Sequence, residues 1–244
     1  MLSSSEKANY GIDAPRLVAG FAVIGVVGVT GAVGSFIAAM MGHARWLSVG
    51  AGMSTWGVSF FVTAAVMSWG SKVGKLRLRD RILSSIDWRG NETVLDVGCG
   101  HGLMLITAAK RLQAGRVFGV DLWRAQDQSG NSREATLHNI RLEGVADKVT
   151  LVDGDARKLD FADRTFDVVL SSWAIHNIHN AAGREFAIRE MARVLKPGGR
   201  LIVVDIQHTR RYADILRECG LLKVSRQGPH FLFVIPTFIL TAIK

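Results

Sequence analysis

The chain has 244 residues, 48% of them hydrophobic, which is enough to bury one core and leave apolar sequence over. Its two cysteines, Cys99 and Cys219, match neither a metal-binding spacing nor a dense disulfide framework, which excludes a small disulfide-stapled protein and favours a reducing compartment. Lys and Arg outnumber Asp and Glu by 30 to 21, and the resulting net charge of +9 favours an anionic partner.

The apolar surplus lies at the N-terminus. No charged residue occurs in 17–41 or in 46–69. Roughly 20 apolar helical residues cross a hydrocarbon core of about 30 Å, so we predict two transmembrane helices joined by a short hairpin at 42–45. A cleaved signal peptide has an apolar stretch of only about 7 to 15 residues, and it or a buried soluble hairpin fits this pattern less well.

Small residues recur along the first predicted span. Gly25, Gly28, Gly31 and Gly34 are spaced every three residues, and Gly31 with Ser35 forms a small-xxx-small pair. Such residues let helix backbones approach closely. We therefore expect close packing of the two spans with each other or with a second copy, so a homo-oligomer is one of two open alternatives.

Basic residues flank the predicted hairpin. Lys7 and Arg16 precede the first span, and the positive-inside rule therefore places both flanks and the following domain in the cytoplasm. The cluster that follows the second span consists of Lys72, Lys75, Arg77, Arg79 and Arg81. It has no interleaved aromatic residues for base stacking, so we expect contact with a bilayer surface and no nucleic-acid partner.

Beyond residue 81 the pattern alternates between short β-rich runs and amphipathic segments, which is typical of an α/β sheet with helices on both faces. We predict seven strands at 93–97, 117–120, 149–152, 166–170, 201–205, 222–225 and 238–243. We predict helices near 104–112, 133–142, 184–194 and 212–219. Asn131 with Glu134 resembles a capping box, and 196–199 combines a helix stop with a turn.

A glycine loop follows the first predicted strand and opens a helix. Strand and loop read Val94, Leu95, Asp96, Val97, Gly98, Cys99, Gly100, His101 and Gly102. The G-x-G-x-G spacing and the strand-end carboxylate differ from the dinucleotide fingerprint, and that carboxylate suits a cationic ligand better than a pyrophosphate. Glycines permit close backbone approach, but they also occur in ordinary strand-to-helix turns, so the loop needs further support.

Acidic residues also end the next two predicted strands. Asp121 ends the second, where a carboxylate can accept hydrogen bonds from both ribose hydroxyls. Asp153 and Asp155 close the third, and Asp155 with the Ala156 backbone offers partners for an exocyclic amine and a ring nitrogen of adenine. Open α/β sheets bind ligands at the carboxyl ends of their strands. These positions together predict a site for a nucleoside that carries a positive group.

On these residues, the segment 93–244 resembles the class I S-adenosylmethionine-dependent methyltransferases. The stretches 166–171 and 193–199 are similar to that family's fourth strand and to its turn before the fifth, and the pattern is similar to the small-molecule branch with quinone, sterol and phospholipid methyltransferases. The resemblance implies S-adenosylmethionine as cofactor. It also implies cofactor binding by Asp96, Gly98, Gly100, His101, Gly102, Asp121, Leu122, Asp155, Ala156 and Ser171.

The segment 171–179 follows the fourth predicted strand, where the family places residues that face the methyl group. His176 can remove a proton from a hydroxyl or thiol acceptor, and Asn177 can orient the acceptor or the imidazole. The alternative for His176 is a structural role as a helix cap or a backbone hydrogen-bond partner. The polar stretch 123–130 is either a lid or a solvated loop, and the apolar run 228–236 either contacts lipid, lines an acceptor pocket or packs in the core.

We therefore expect a membrane protein with two spans and a Rossmann-like catalytic domain that methylates a small lipophilic molecule, with no metal. Its parts are a cytoplasmic tail (1–15), a transmembrane hairpin (16–70) that contacts lipid through 17–69, a basic linker and helix (71–92) and the methyltransferase domain (93–244). The acceptor atom stays open among oxygen, nitrogen, sulfur and carbon. The alternatives are a catalytically silent, cofactor-binding membrane scaffold and, disfavoured by the loop spacing and Asp155, a nucleotide-cofactor oxidoreductase.

Overall fold

The computed structural model describes residues 6–124, 128–231 and 236–244. Its helices are α1 (Pro15–Met40), α2 (Trp46–Trp69), α3 (Lys75–Ser84), α4 (Leu103–Ala109), α5 (Arg133–Leu142), α6 (Ala181–Val194) and α7 (Thr209–Glu218). Its strands are β1 (Thr93–Val97), β2 (Arg116–Asp121), β3 (Val149–Asp153), β4 (Phe166–Ser172), β5 (Leu195–Asp205), β6 (Leu222–His230) and β7 (Thr237–Ile243). Residues 125–127 of the expected lid and 232–235 of the expected apolar run lie outside the described residues.

The seven strands form one sheet in the order β3-β2-β1-β4-β5-β7-β6. Strands β1 to β5 pair in parallel, and β7 is antiparallel to both β5 and β6. This confirms the predicted seven-stranded, mostly parallel, Rossmann-like sheet. Because parallel strands end at the same edge, the strand-end acids come together there, and Asp121 pairs in register with Asp153.

Two hydrophobic layers hold the helices on opposite faces of the sheet. Successive strand residues point to opposite faces, so Leu95 and Val169 pack with α6 and α7, whereas Val94 and Val168 pack with α3, α4 and α5. Each fully buried aliphatic side chain of this kind contributes about 1.5–3 kcal/mol relative to an exposed one. Helices therefore cover both faces, as predicted.

Several predicted boundaries are wrong: β5 begins at Leu195 and not at 201, and β6 extends to His230 and not to 225. The N-cap of α5 is Ser132, whose hydroxyl accepts a hydrogen bond from the amide of Ala135, so the predicted capping box at Asn131 is displaced by one residue. The predicted helix stop is correct, since α6 ends at Val194; residues 196–199 are counted in β5, but they leave the pairing with β4 between Leu195 and Arg200, and Gly198 has a φ of +76°. A register shift between Phe166 and Val168 accommodates this glycine-containing start of β5.

Helices α1 and α2 are each long and apolar enough to cross a membrane, and α2 continues through a π-helical turn, Gly70–Gly74, into α3. Only 11% of the most apolar window in the first helix, and 17% of that in the second, is buried inside the chain. A core helix would be mostly buried. The exposed apolar surface includes Val23, Val27 and Trp56. An apolar surface of this size requires contact with a partner or a lipid phase outside the described fold.

The glycines of α1 are in contact with α2. A Cβ added to Gly28 would lie 2.6 Å from Cα of Gly57, and one added to Gly57 would lie 2.6 Å from the amide nitrogen of Val29. These two helices therefore touch backbone to backbone. The predicted close packing occurs within one chain at Gly25 and Gly28, whereas Gly34 has no atom within 4 Å of its Cβ position.

A side chain at Gly57 is expected to separate the two helices. A Cβ at Gly50 would lie 3.2 Å from Cβ of Ser35, so the double variant Ser35→Cys/Gly50→Cys should form an intrachain disulfide on mild oxidation, detected as a linked peptide by mass spectrometry. Adding Gly57→Leu should abolish most of this product. Gly52→Leu is the control, because Gly52 lies on the same helix but has open space at its Cβ position, and it should leave the disulfide yield unchanged. Equal disulfide yields with Gly57→Leu and Gly52→Leu would contradict the backbone contact of α1 with α2.

Candidate active site

A cleft opens at the carboxyl edge of the sheet, above β1, β2 and β4. With its solvent-open mouth it encloses about 1030 Å³. Its lining includes the predicted residues Asp96, Gly98, Gly100, His101, Asp121, Leu122, Asp155, Ala156 and Asn177. The glycine loop and all three strand-end regions that we selected from the sequence thus share one cleft.

The carboxylate of Asp96 lies in the floor of the cleft, and one of its two oxygens accepts a hydrogen bond from the protein. Its Oδ2 accepts a hydrogen bond from the amide of Leu105 at 2.9 Å, in the first turn of α4. Its Oδ1 is buried and has no partner among the described residues. Burial raises the pKa of Asp96 to about 7, since water no longer stabilises the charged form. A cationic group placed in the cleft would donate a hydrogen bond to Oδ1 and would compensate the negative charge of the carboxylate.

Asp121 is held by the backbone of the loops around it. Its Oδ2 accepts from the amide of Gly100 at 2.8 Å, and its Oδ1 accepts from the amide of Trp123 at 2.6 Å. Oδ1 also accepts from Nδ2 of Asn131 at 3.5 Å, and Oδ2 can accept a second hydrogen bond. The side chain is therefore oriented by protein donors and can still accept from a diol in the cleft.

Asp155 lines the cleft but is paired with a neighbouring cation. The guanidinium of Arg157 lies 2.5 Å from its Oδ2, and this hydrogen-bonded contact holds the pKa of Asp155 below its usual value. Asp155 is therefore a charged acceptor at one end of the cleft. In the sheet order β3-β2-β1, Asp121 lies on the strand between those that carry or precede Asp155 and Asp96.

Three of the predicted site residues, Gly102, Ser171 and His176, are not part of the lining. Gly102, with a φ of +83°, is the N-cap of α4 and serves the turn. The hydroxyl of Ser171 donates to the carbonyl oxygen of Val97 at 2.8 Å, so the side chain joins β4 to β1. The alternation along β4 places the next residue, Ser172, at the cleft instead.

His176 has a buried carboxylate partner. It lies in a short 3-10 turn, Ile175–Asn177, after β4, and its Nδ1 is 2.5 Å from Oδ1 of Asp205 at the end of β5. The amide of His176 donates to the other oxygen of the same carboxylate. Its neighbours Ile175 and Asn177 line the cleft while the ring of His176 is turned towards Asp205. The contact fixes the ring and leaves Nε2 for another partner.

Sequence reasoning missed several residues at the cleft. Asp13 and Lys75 line the cleft although they lie far from the glycine loop in the chain. Asn131 and Ser172 also line it, and each has a buried side-chain oxygen with no partner in the described ranges. No short motif marks these positions. Only Ser172 had a signal, since strand alternation after an inward Ser171 exposes the following residue.

Residues 95–203 match the family described as a methyltransferase domain. A demethylmenaquinone methyltransferase of Symbiobacterium thermophilum is 38% identical to this chain over 119 residues, which cover 48% of this chain and 44% of that protein. The chain spans about half the length of the first curated relatives that it matches.

Two solved structures share the fold. A SAM-dependent methyltransferase from Aquifex aeolicus matches with a TM-score of 0.54 at 21% identity, over 71% of this chain and 97% of that one. The cyclase SpnF matches with a TM-score of 0.58 at 20% identity, over 71% of this chain and 82% of that one. The predicted fold is therefore confirmed: it is the fold that S-adenosylmethionine-dependent methyltransferases share.

The glycine loop should not tolerate a side chain at Gly98. A Cβ there would lie 2.2 Å from Cβ of Ala174, at a φ of +72°, so Gly98→Ala combines a steric clash with backbone strain. Gly130 has a similar φ of +66° but open space, so Gly130→Ala carries only the strain, about 1–2 kcal/mol. Overpacking should add about 1–3 kcal/mol for Gly98→Ala. Denaturant unfolding measures the loss in the free energy of unfolding for both variants. Equal losses in Gly98→Ala and Gly130→Ala would show that the clash at Gly98 is relieved.

Proposed function

We propose that this chain is a membrane-anchored methyltransferase that transfers the methyl group of S-adenosylmethionine to a small lipophilic acceptor. One observation carries the proposal: three carboxylates, Asp96, Asp121 and Asp155, line a single cleft together with the glycine loop. S-adenosylmethionine, when bound, supplies a methyl group on a positively charged sulfur. The matching methyltransferase domain supports this chemistry.

The residues present fit this cofactor. Asp96 and the loop from Gly98 would hold its methionine end, where the partnerless Oδ1 of Asp96 suits an ammonium. Asp121 would accept the two ribose hydroxyls, and Asp155 with Ala156 would face the adenine. Ser172 and Asn131 add buried oxygens that need donors, because an unsatisfied buried polar group costs about 1–3 kcal/mol.

The N-terminal hairpin supports a membrane location and an apolar acceptor. Its two helices are long and apolar enough to span, and most of their surface is exposed. The basic residues Lys72, Arg77 and Arg81 are exposed directly after α2, where cytoplasmic lipid headgroups would lie. The relative from Symbiobacterium thermophilum is named for demethylmenaquinone, and a lipophilic acceptor of this kind would arrive from the bilayer.

His176 is the proposed proton acceptor for an acceptor that carries a hydroxyl or thiol. Asp205 binds Nδ1 and would stabilise the imidazolium that forms. As the acceptor atom receives the methyl group, its proton would pass to Nε2 of His176. Asn177, which lines the cleft, would orient the acceptor. For a nucleophile without a proton, the same residues would only align it and exclude water.

Two rivals make different predictions. A scaffold that retains the cofactor site would bind S-adenosylhomocysteine but never transfer a labelled methyl group into a lipid extract. An oxidoreductase would bind NADH instead. The carboxylate in the cleft floor disfavours the second rival, because a pyrophosphate would meet Asp96 there.

Cofactor binding and methyl transfer should separate between two variants. Asp121→Ala removes the acceptor for the ribose and should weaken S-adenosylhomocysteine binding about tenfold or more in calorimetry. His176→Ala should keep that affinity but slow radiolabel transfer into the lipid extract about 100-fold or more. Asp87→Ala, an exposed control, should change neither. Unchanged transfer in His176→Ala would leave His176 with a structural role.

Cofactor affinity should fall at acidic pH through Asp96. Its pKa of about 7 means that it is about nine-tenths ionised at pH 8 and about one-tenth ionised at pH 6. Protonation removes the charge that attracts the ligand's ammonium, so the Kd of S-adenosylhomocysteine should rise about ninefold from pH 8 to pH 6. Asp96→Asn should bind weakly with a flat profile. A wild-type profile as flat as that of Asp96→Asn would disprove the charge role.

A further inference from the structure

A short segment that precedes the hairpin forms part of the cleft. Residues 9–13, here called the strap, lie immediately before α1, which begins at Pro15. Asp13 of the strap lines the cleft, and Gly11 packs so close that an added Cβ would lie 3.3 Å from Nε2 of His101. The strap lies outside residues 95–203, the segment that matches the methyltransferase-domain family.

The amide of Asn139 ties the strap to the glycine loop. Asn139 is buried in α5, its Oδ1 accepts from the amide of Asn9 at 3.0 Å, and its Nδ2 donates to the Asn9 carbonyl at 2.8 Å. The same Nδ2 donates to the carbonyl of His101 at 3.0 Å. One buried side chain thus holds both the strap and the loop.

Gln128 makes a second connection of the same kind. Its Nε2 donates to the carbonyl of Tyr10 at 2.9 Å and to Oδ1 of Asp13 at 3.1 Å. Its Oε1 accepts from the amide of His101 at 3.4 Å. Any displacement of the strap would therefore be transmitted to the backbone of the glycine loop.

Lys75, at the start of α3, fixes the strap from the other side. Its side chain is only 2% exposed, and its Nζ donates to the carbonyls of Tyr10 at 2.7 Å and Gly11 at 2.9 Å and lies 3.2 Å from Oδ2 of Asp13. Ser71, one turn earlier, donates to the same Asp13 oxygen and accepts from the Asp13 amide. An ammonium has three donors, and these three partners use all of them.

We propose that Lys75 is a positioning residue for cofactor binding, acting through the strap on the glycine loop, so that the base of the hairpin is part of the cofactor site. This rests on the proposed function, since it takes the cleft as the cofactor site. Because the donors of Lys75 are occupied within the protein, it acts through Asp13 and the strap carbonyls and not by touching the cofactor. The end of α2 and the start of α1 are thereby both linked to the loop that binds the methionine end.

The test uses the full chain in phosphatidylcholine nanodiscs and S-adenosylhomocysteine as the calorimetric probe. Lys75→Met keeps the length of the side chain and removes its charge, and its Kd should rise about tenfold, within the usual range of coupling between sites. Lys72→Met is the control, because Lys72 is exposed three residues earlier and has no part in the strap; its Kd should stay within about twofold of wild type.

Hydrogen exchange separates positioning from general destabilisation. In Lys75→Met, peptides covering 9–13 and 98–102 should lose protection, while peptides from β1 and β4 keep theirs. Ser71→Ala removes both hydrogen bonds between Ser71 and Asp13 but keeps those of Lys75, and Ser71 is not among the lining residues of the cleft. It should give a smaller loss of affinity with the same exchange pattern. This milder variant decides the outcome if Lys75→Met does not fold.

The two proposals fail in different ways. If wild type does not bind S-adenosylhomocysteine, the proposed function is wrong. If wild type binds, and the strap of Lys75→Met or Ser71→Ala is deprotected while affinity stays at the wild-type value, the role of the strap is overturned.

Discussion

Asp96 is only 1% exposed, and one of its two carboxylate oxygens has no partner among the described residues. A buried charge without compensation is costly, so burial raises the pKa of Asp96 to about 7, and a cation in the cleft would stabilise its charged form. The surrounding structure follows from this constraint. The amide of Leu105 at the start of α4 holds the other oxygen.

The sheet topology makes this carboxylate one of a set. Parallel pairing of β1, β2 and β3 brings three consecutive strand ends to one edge: Asp96 is the last residue but one of β1, and β2 and β3 end in Asp121 and Asp153. The sequence was sufficient to predict these strands, the two apolar helices and the acids, because strand alternation, apolar length and glycine turns are local patterns. The fold and the row of Asp96, Asp121 and Asp155 could therefore be predicted together.

The parts of the site that could not be predicted from the sequence depend on contacts between residues that are distant in the chain. No local pattern joins Asp13 to Lys75, or His176 to Asp205, which belong to different elements and meet only when the sheet and the hairpin have formed. The choice between Ser171 and Ser172 depended on which face of β4 turns inward at its end. The capping residue of α5 was misassigned by one position because Asn131 and Ser132 are both good N-caps, and Asn131 is turned towards Asp121 instead.

The hairpin and the domain are physically continuous at the cleft. Gly28 and Gly57 hold α1 against α2, and Lys75 and Ser71 at the base of α2 hold the strap that precedes α1. Two helices attached by a flexible linker would have no such contacts with the glycine loop. In this chain the hairpin and the cleft share side chains, so under the proposed membrane location the cleft would lie near the bilayer surface.

An experimental structure of the full chain with S-adenosylhomocysteine tests the central claim most directly. The account predicts the amino-acid end of the ligand against Asp96 and the glycine loop, the ribose on Asp121 and the adenine beside Asp155. Density for the ligand at another place, or Asp96 still without a partner in the complex, would contradict it.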